Sequence, residues 1–70
     1  MFIVVAYDIS DNRRRTRLHK QLKGFGTPVQ YSVFECLLND RQFKDMRAVV
    51  RKTIQAKQDL VRFWSICTRY

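Results

Sequence analysis

The chain has 70 residues, 14 of them Lys or Arg against six Asp or Glu, for a formal charge of +8. At 46% apolar residues it is too hydrophobic for a disordered tail, and it is short enough that residues 1–70 are expected to form one domain around one core. No apolar run approaches the roughly 18 residues of a membrane span, and Cys36 and Cys67 lack a CxxC spacing; membrane-spanning, coiled-coil, collagenous and disulfide-scaffold classes are excluded, and a cytosolic protein with reduced thiols is expected.

Phe2 to Tyr7 is β-branched and aromatic with both faces apolar, which predicts an interior strand stopped by Asp8. Asp8-Ile9-Ser10-Asp11-Asn12 is a loop rich in N-cap residues, followed by helix formers from Arg13 to Lys23. Leu18, Leu22 and Phe25 fall at i, i+4, i+7 and form one apolar stripe; Gly24 and Gly26 end the helix and Pro28 blocks its continuation. Val29 to Leu38 is again strand-like, and without an Asn-Gly-type turn it reads equally as one long strand or two short ones. Asn39 with Gln42 forms a capping-box pattern that opens a second helix from about Arg41 to Ala56, its stripe being Phe43, Met46, Val50 and Ile54. After the polar turn Lys57-Gln58-Asp59, Leu60 to Cys67 reads as a last strand. Two amphipathic helices and few strands pack most economically with both helices on one sheet face. The expected fold is therefore α+β, a ferredoxin-like βαββαβ sandwich with the first and last strands central.

Asp8 leaves a strand where carboxylates often face a cleft, although Asp also caps turns. Mg²⁺ takes hard oxygen donors and often only one or two carboxylates, so a metal role is chemically sensible. The other acids (Asp11, Glu35, Asp40, Asp45, Asp59) are scattered, and metal chemistry at Asp8 calls for a two-fold dimer that doubles the carboxylate.

Six of the basic residues (Arg13, Arg14, Arg15, Arg17, Lys20 and Lys23) fall within eleven positions. Arg13, Lys20 and Lys23 lie opposite the stripe and read either as a solvated face or as phosphate contacts. Basic residues early in a helix oppose its dipole, so arginines there cost stability unless an anion compensates, and Arg15 and Arg17 read as phosphate or acidic contacts. Arg41, Lys44, Arg47, Arg51, Lys52, Arg62 and Arg69 extend the basic coat, which suits backbone contact rather than base reading. Tyr7, Tyr31, Phe34 and Trp64 are able to stack on bases, but aromatics on strands are more often core. His19 has no Cys or His neighbour and is disfavoured as ligand or base. P-loop, dinucleotide, zinc and hydrolase-elbow motifs are absent.

The strand end Val5-Ala6-Tyr7-Asp8-Ile9-Ser10-Asp11, the Arg-rich helix start and Gln30-Tyr31-Ser32-Val33-Phe34-Glu35-Cys36 together resemble the CRISPR-associated protein two family, small ferredoxin-like nucleases of spacer acquisition. The resemblance runs from Phe2 to about Cys67. It implies a homodimer packing through its sheets, with the two Asp8 side chains facing each other on Mg²⁺. It further implies metal-dependent hydrolysis of single-stranded RNA or double-stranded DNA, and a scaffold role beside the CRISPR integrase (CRISPR-associated protein one). Carried over by position, Tyr7, Asp8, Arg15, Arg17 and Phe34 are the implied catalytic set. The family usually continues past this length with a further strand that packs on the partner subunit, and some members have a basic residue where this chain has Pro28 and Val29. A non-catalytic nucleic-acid scaffold and a toxin-type endoribonuclease on the same fold are the alternatives.

Overall fold

The computed structural model describes residues 1–66, so Cys67 and Arg69 lie outside the described residues. Phe2–Asp8 forms β1, with Ile3, Val5 and Tyr7 buried on one side as strand alternation requires. Asn12–Leu22 forms α1, capped by Asp11, whose carboxylate accepts from the Arg14 backbone N–H at 2.9 Å. The helix runs one residue earlier at each end than expected and buries Leu18 and Leu22 on the sheet.

Neither glycine after α1 adopts a left-handed conformation. The chain instead tightens, with Gly24 N–H donating to the Gln21 carbonyl at 3.1 Å and Phe25 N–H to the Leu22 carbonyl at 2.9 Å. Gly26 is required by close approach rather than by φ. A Cβ there would meet Cys36 Cα at 2.9 Å and overlap both Cys36 Sγ and the Glu35 carbonyl oxygen.

The segment expected as one strand or two is two: β2 (Thr27–Gln30) and β3 (Val33–Leu37), antiparallel across the Tyr31-Ser32 turn. The pairing slips between Pro28 and Gln30, leaving Val29 as an extra residue. Pro28 has no N–H for the ladder and is tolerated because β2 is an edge strand. Asp40–Thr53 forms α2, shorter at its C-terminus than expected, and the capping box is made: Asn39 N–H donates to Gln42 Oε1 at 2.9 Å and Gln42 N–H to Asn39 Oδ1 at 2.8 Å. Met46 and Val50 are buried, with Phe43 and Ile54 half-buried beside them. Leu60–Ile66 forms β4.

The sheet order is β2-β3-β1-β4, antiparallel throughout. The fold is the expected α+β ferredoxin-like sandwich, but the expectation that the first and last strands are central is corrected. β1 and β3 occupy the centre and β4 lies at an edge, where Leu60, Trp64 and Ile66 remain about half exposed. The reason lies in the chain path. The β1-α1-β2 crossover leaves one strand position open, and the short Tyr31-Ser32 turn delivers β3 into it, next to β1. Among the described residues no helix is long and apolar enough to cross a membrane.

Candidate functional site

Strand alternation sends Tyr7 and Asp8 to opposite faces of the sheet. Tyr7 belongs to the buried series under the helices, whereas Asp8 is exposed and continues the Phe2, Val4, Ala6 series. Cross-strand neighbours share a face, and the register pairs Phe2 with Leu37 and Ile66, Val4 with Glu35 and Trp64, and Asp8 with Leu60. Asp8 therefore stands at the end of an open, largely apolar sheet face on which Leu37 is 80% exposed. The ion pairs among the described residues are those of Arg14 with Asp59 and Asp11, and Asp8 takes part in neither.

On the helix side, Tyr7 Oη lies 3.1 Å from His19 Nδ1, and the imidazole sits edge-on to Phe34 with ring centroids 5.1 Å apart. Burial is the main cause holding the Tyr7 phenol above its ordinary pKa, with the Arg15 guanidinium opposing it. Arg15 donates to the Ile9 carbonyl at 3.0 Å and to Asn12 Oδ1, tying the start of α1 to the residue just after Asp8. Tyr7, Arg15, His19, Lys20, Lys23 and Tyr31 line a cleft of about 420 Å³, within the range of roughly 300–1,000 Å³ common for ligand sites. Arg13, Arg17 and Lys20 border a second, shallower groove along the outer side of α1.

The structure thus brings Tyr7 and Arg15 together, puts Asp8 across the sheet from them, and leaves Arg17 exposed on the neighbouring groove. Two expected roles are corrected. Phe34 is fully buried between Tyr7 and His19, where no substrate reaches it, so any effect it has passes through the rings it supports. Arg14 is occupied within the fold, donating from Nε to Asp59 Oδ2 at 2.8 Å and from Nη2 to Oδ1 at 3.1 Å. Asp59, whose side chain is fully buried, also accepts from Gln55 N–H at 2.9 Å. The Arg14 bonds, then the Gln55 bond, hold its carboxyl below the ordinary range. The anion that the arginine-rich helix start calls for is, at Arg14, internal.

His19, disfavoured from sequence as a ligand or base, lines the cleft as the hydrogen-bond partner of Tyr7. The available signal was its position four residues after Arg15, which puts both on one helical face together with Lys23.

A family model described as CRISPR associated protein Cas2 matches residues 1–70. The CRISPR-associated endoribonuclease Cas2 3 of Chloroflexus aurantiacus is 48% identical over 66 residues, covering 94% of this chain and 71% of that protein. The CRISPR-associated endonuclease Cas2 2 of Thermus thermophilus is 44% identical over 62 residues, covering 89% and 69%. Among solved structures, a hypothetical protein from Thermus thermophilus superposes with a TM-score of 0.92 at 40% identity, covering 96% of this chain and 82% of its own. Streptococcus pyogenes Cas2 superposes with a TM-score of 0.90 at 29% identity, covering 96% and 87%.

Proposed function

The chain belongs to the CRISPR-associated protein Cas2 family, and we propose that it is a Mg²⁺-dependent endonuclease of single-stranded RNA or double-stranded DNA that works as a homodimer. The observation that carries this reading is the exposed Asp8 at the end of β1, on the sheet face that no helix covers. A second copy laid on that face takes Leu37, Trp64 and Phe2 out of water. In a two-fold interface each patch meets its own copy, so a strand-end acid beside the axis faces its twin.

The donor chemistry is better served by a pair than by a single copy. No group of three or more His, Cys, Asp or Glu among the described residues is arranged to hold a metal ion. Asp8 offers one hard carboxylate, and Mg²⁺ is commonly held by one or two, with water and phosphate oxygens completing the shell. When bound, the ion supplies polarisation of the scissile phosphate and a water of lowered pKa. The chain's own residues do the rest. Asp8 supplies the ligand. Arg15 steadies the strand end through the Ile9 carbonyl. Arg13, Arg17, Lys20 and Lys23 hold backbone phosphates, which fixes the strand without reading its sequence. Tyr7, kept neutral by burial, orients His19 rather than acting as a phenolate. In the same proposal the dimer serves as a scaffold for the CRISPR integrase, CRISPR-associated protein one.

The deciding experiment is a cleavage assay on single-stranded RNA and duplex DNA, wild type beside Asp8→Asn, with Mg²⁺ and with chelator. Cleavage that needs both Asp8 and Mg²⁺ supports the nuclease reading. Cleavage that survives Asp8→Asn overturns the assignment of the site. The scattered acids, which form no metal-holding group of three among the described residues, favour a second reading, a non-catalytic nucleic-acid scaffold, and salt-sensitive binding with no Mg²⁺-stimulated cleavage would establish it.

A further inference from the structure

Tyr31 is 84% exposed at the β2–β3 turn, where the fold does nothing with its ring. The turn itself is anchored: Tyr7 N–H donates to the Ser32 carbonyl at 3.1 Å, so the ring stands on a fixed base at the rim of the helix-side cleft. Along the same cleft run Arg15, Lys20 and Lys23, and the ion pairs among the described residues involve none of them. Three cations with no carboxylate partner among the described residues, Arg15 being held in place by its bonds to Ile9 and Asn12, stand beside a bare aromatic face and match an anion carried next to a flat π-system. A base pair inside a duplex presents no free face, because its neighbours stack on both sides, so the fitting ligand is a nucleotide outside a duplex.

We propose that this cleft is a subsite for one unpaired nucleotide of a nucleic-acid strand, its base stacked on Tyr31 and its phosphate held by Arg15, Lys20 and Lys23. The proposal rests on the reading of the protein as nucleic-acid-binding. It concerns the face opposite Asp8, so it assigns a holding site rather than a cutting site. Gln30 on the rim offers an amide to a base edge. The expected preference is for strands that carry a single-stranded stretch, an end or a bulge over blunt duplex.

The test is fluorescence anisotropy of the full chain on oligouridine, on oligodeoxythymidine and on a blunt DNA duplex of equal length, across a salt series. Tyr31→Ala weakens binding to the single strands by about five- to a hundredfold, the usual cost of losing one stacked base. The duplex changes by less than about twofold, and the slope against log salt stays as it was, since no charge is removed. Tyr31→Phe keeps single-strand affinity within about threefold, because the ring and not the hydroxyl does the work. Lys20→Gln with Lys23→Gln lowers the single-strand salt slope by about one to two. A loss on either single strand supports the proposal. Equal losses on strand and duplex, or no loss in Tyr31→Ala, overturn the subsite while leaving the nucleic-acid reading intact. Failure of the wild type to bind any of the three overturns that reading too. Tyr31 is a surface residue, and circular dichroism confirms that each variant is folded.

Discussion

The Tyr7 hydroxyl reaches His19 Nδ1 at 3.1 Å, joining β1 to α1 across the floor of the cationic cleft, while Phe34 supports both rings from below. Burial dominates the Tyr7 environment and raises its pKa above the ordinary value near 10. The folded state therefore favours the neutral phenol. The stability this gives is fully present below about pH 10 and is lost as pH climbs through the raised folded value. Ultraviolet titration of the tyrosinates is expected to show a late-ionising phase that Tyr7→Phe removes. A Tyr7 that titrates at or below the ordinary value contradicts the burial argument.

Arg14 and Asp59 make the next prediction. Asp59 has a depressed folded pKa, held down by the two guanidinium bonds and the Gln55 amide. Its contribution is present above the ordinary Asp value of about 3.9 and is lost as pH falls through the lower folded value. Thermal melts of wild type and Asp59→Asn should differ clearly at neutral pH, with wild type the more stable, and should draw together as pH falls from about 4 through the lower folded value. Arg14→Gln lowers Tm at neutral pH in the same way, because it leaves a buried carboxylate unpaired. Its effect on the salt slope of nucleic-acid binding is smaller than that of Arg13→Gln, whose side chain is exposed along α1.

Gly26→Ala is expected to destabilise the fold by about 1–3 kcal/mol in urea unfolding, the usual cost of forcing extra volume into a filled site. The added methyl overlaps both Cys36 Sγ and the Glu35 carbonyl oxygen. Cys36→Ala in the same chain restores only part of the loss, since it clears the sulfur and not the backbone. Full rescue would mean that the backbone contact is unimportant.

These residues also mark what the sequence alone makes legible. The capping box at Asn39 and Gln42 is a local pattern, and it forms as expected. The buried stripe of α1 follows from spacing, with Leu18 and Leu22 in the core. Strand order is different in kind: it depends on pairings between distant segments, and nothing within Leu60–Ile66 signals that β4 ends at an edge rather than the centre. The crowding of arginines at the start of α1 signals a missing anion, but the anion for Arg14 is Asp59, 45 residues away, which no local pattern reveals. The same holds for the candidate site. Tyr7 and Asp8 are adjacent in sequence and look like one site, yet alternation along β1 sends one under the helices and the other onto the open face.

That open face carries the last prediction. Leu37 is 80% exposed and pairs across the sheet with Phe2, in the same apolar band that ends at Asp8. A charge placed there, as in Leu37→Lys, has to give up its water when a second copy covers the apolar face, which is costly for an unpaired ammonium. Sedimentation of the wild type is expected to show a dimer, and Leu37→Lys a monomer at the same concentration. Asp8→Asn stays dimeric or tightens, since it removes the repulsion between two facing carboxylates. Both variants lose Mg²⁺-dependent cleavage, by at least the roughly 10- to 100-fold that loss of an outer-shell partner costs a metal site. They lose it for separable reasons. Mixing the two variants discriminates further: Leu37→Lys chains recruited by excess Asp8→Asn partners put only one native carboxylate at the axis, so activity stays low. Full cleavage by a chain that sediments as a monomer would show that one Asp8 suffices and that the paired-carboxylate account is wrong.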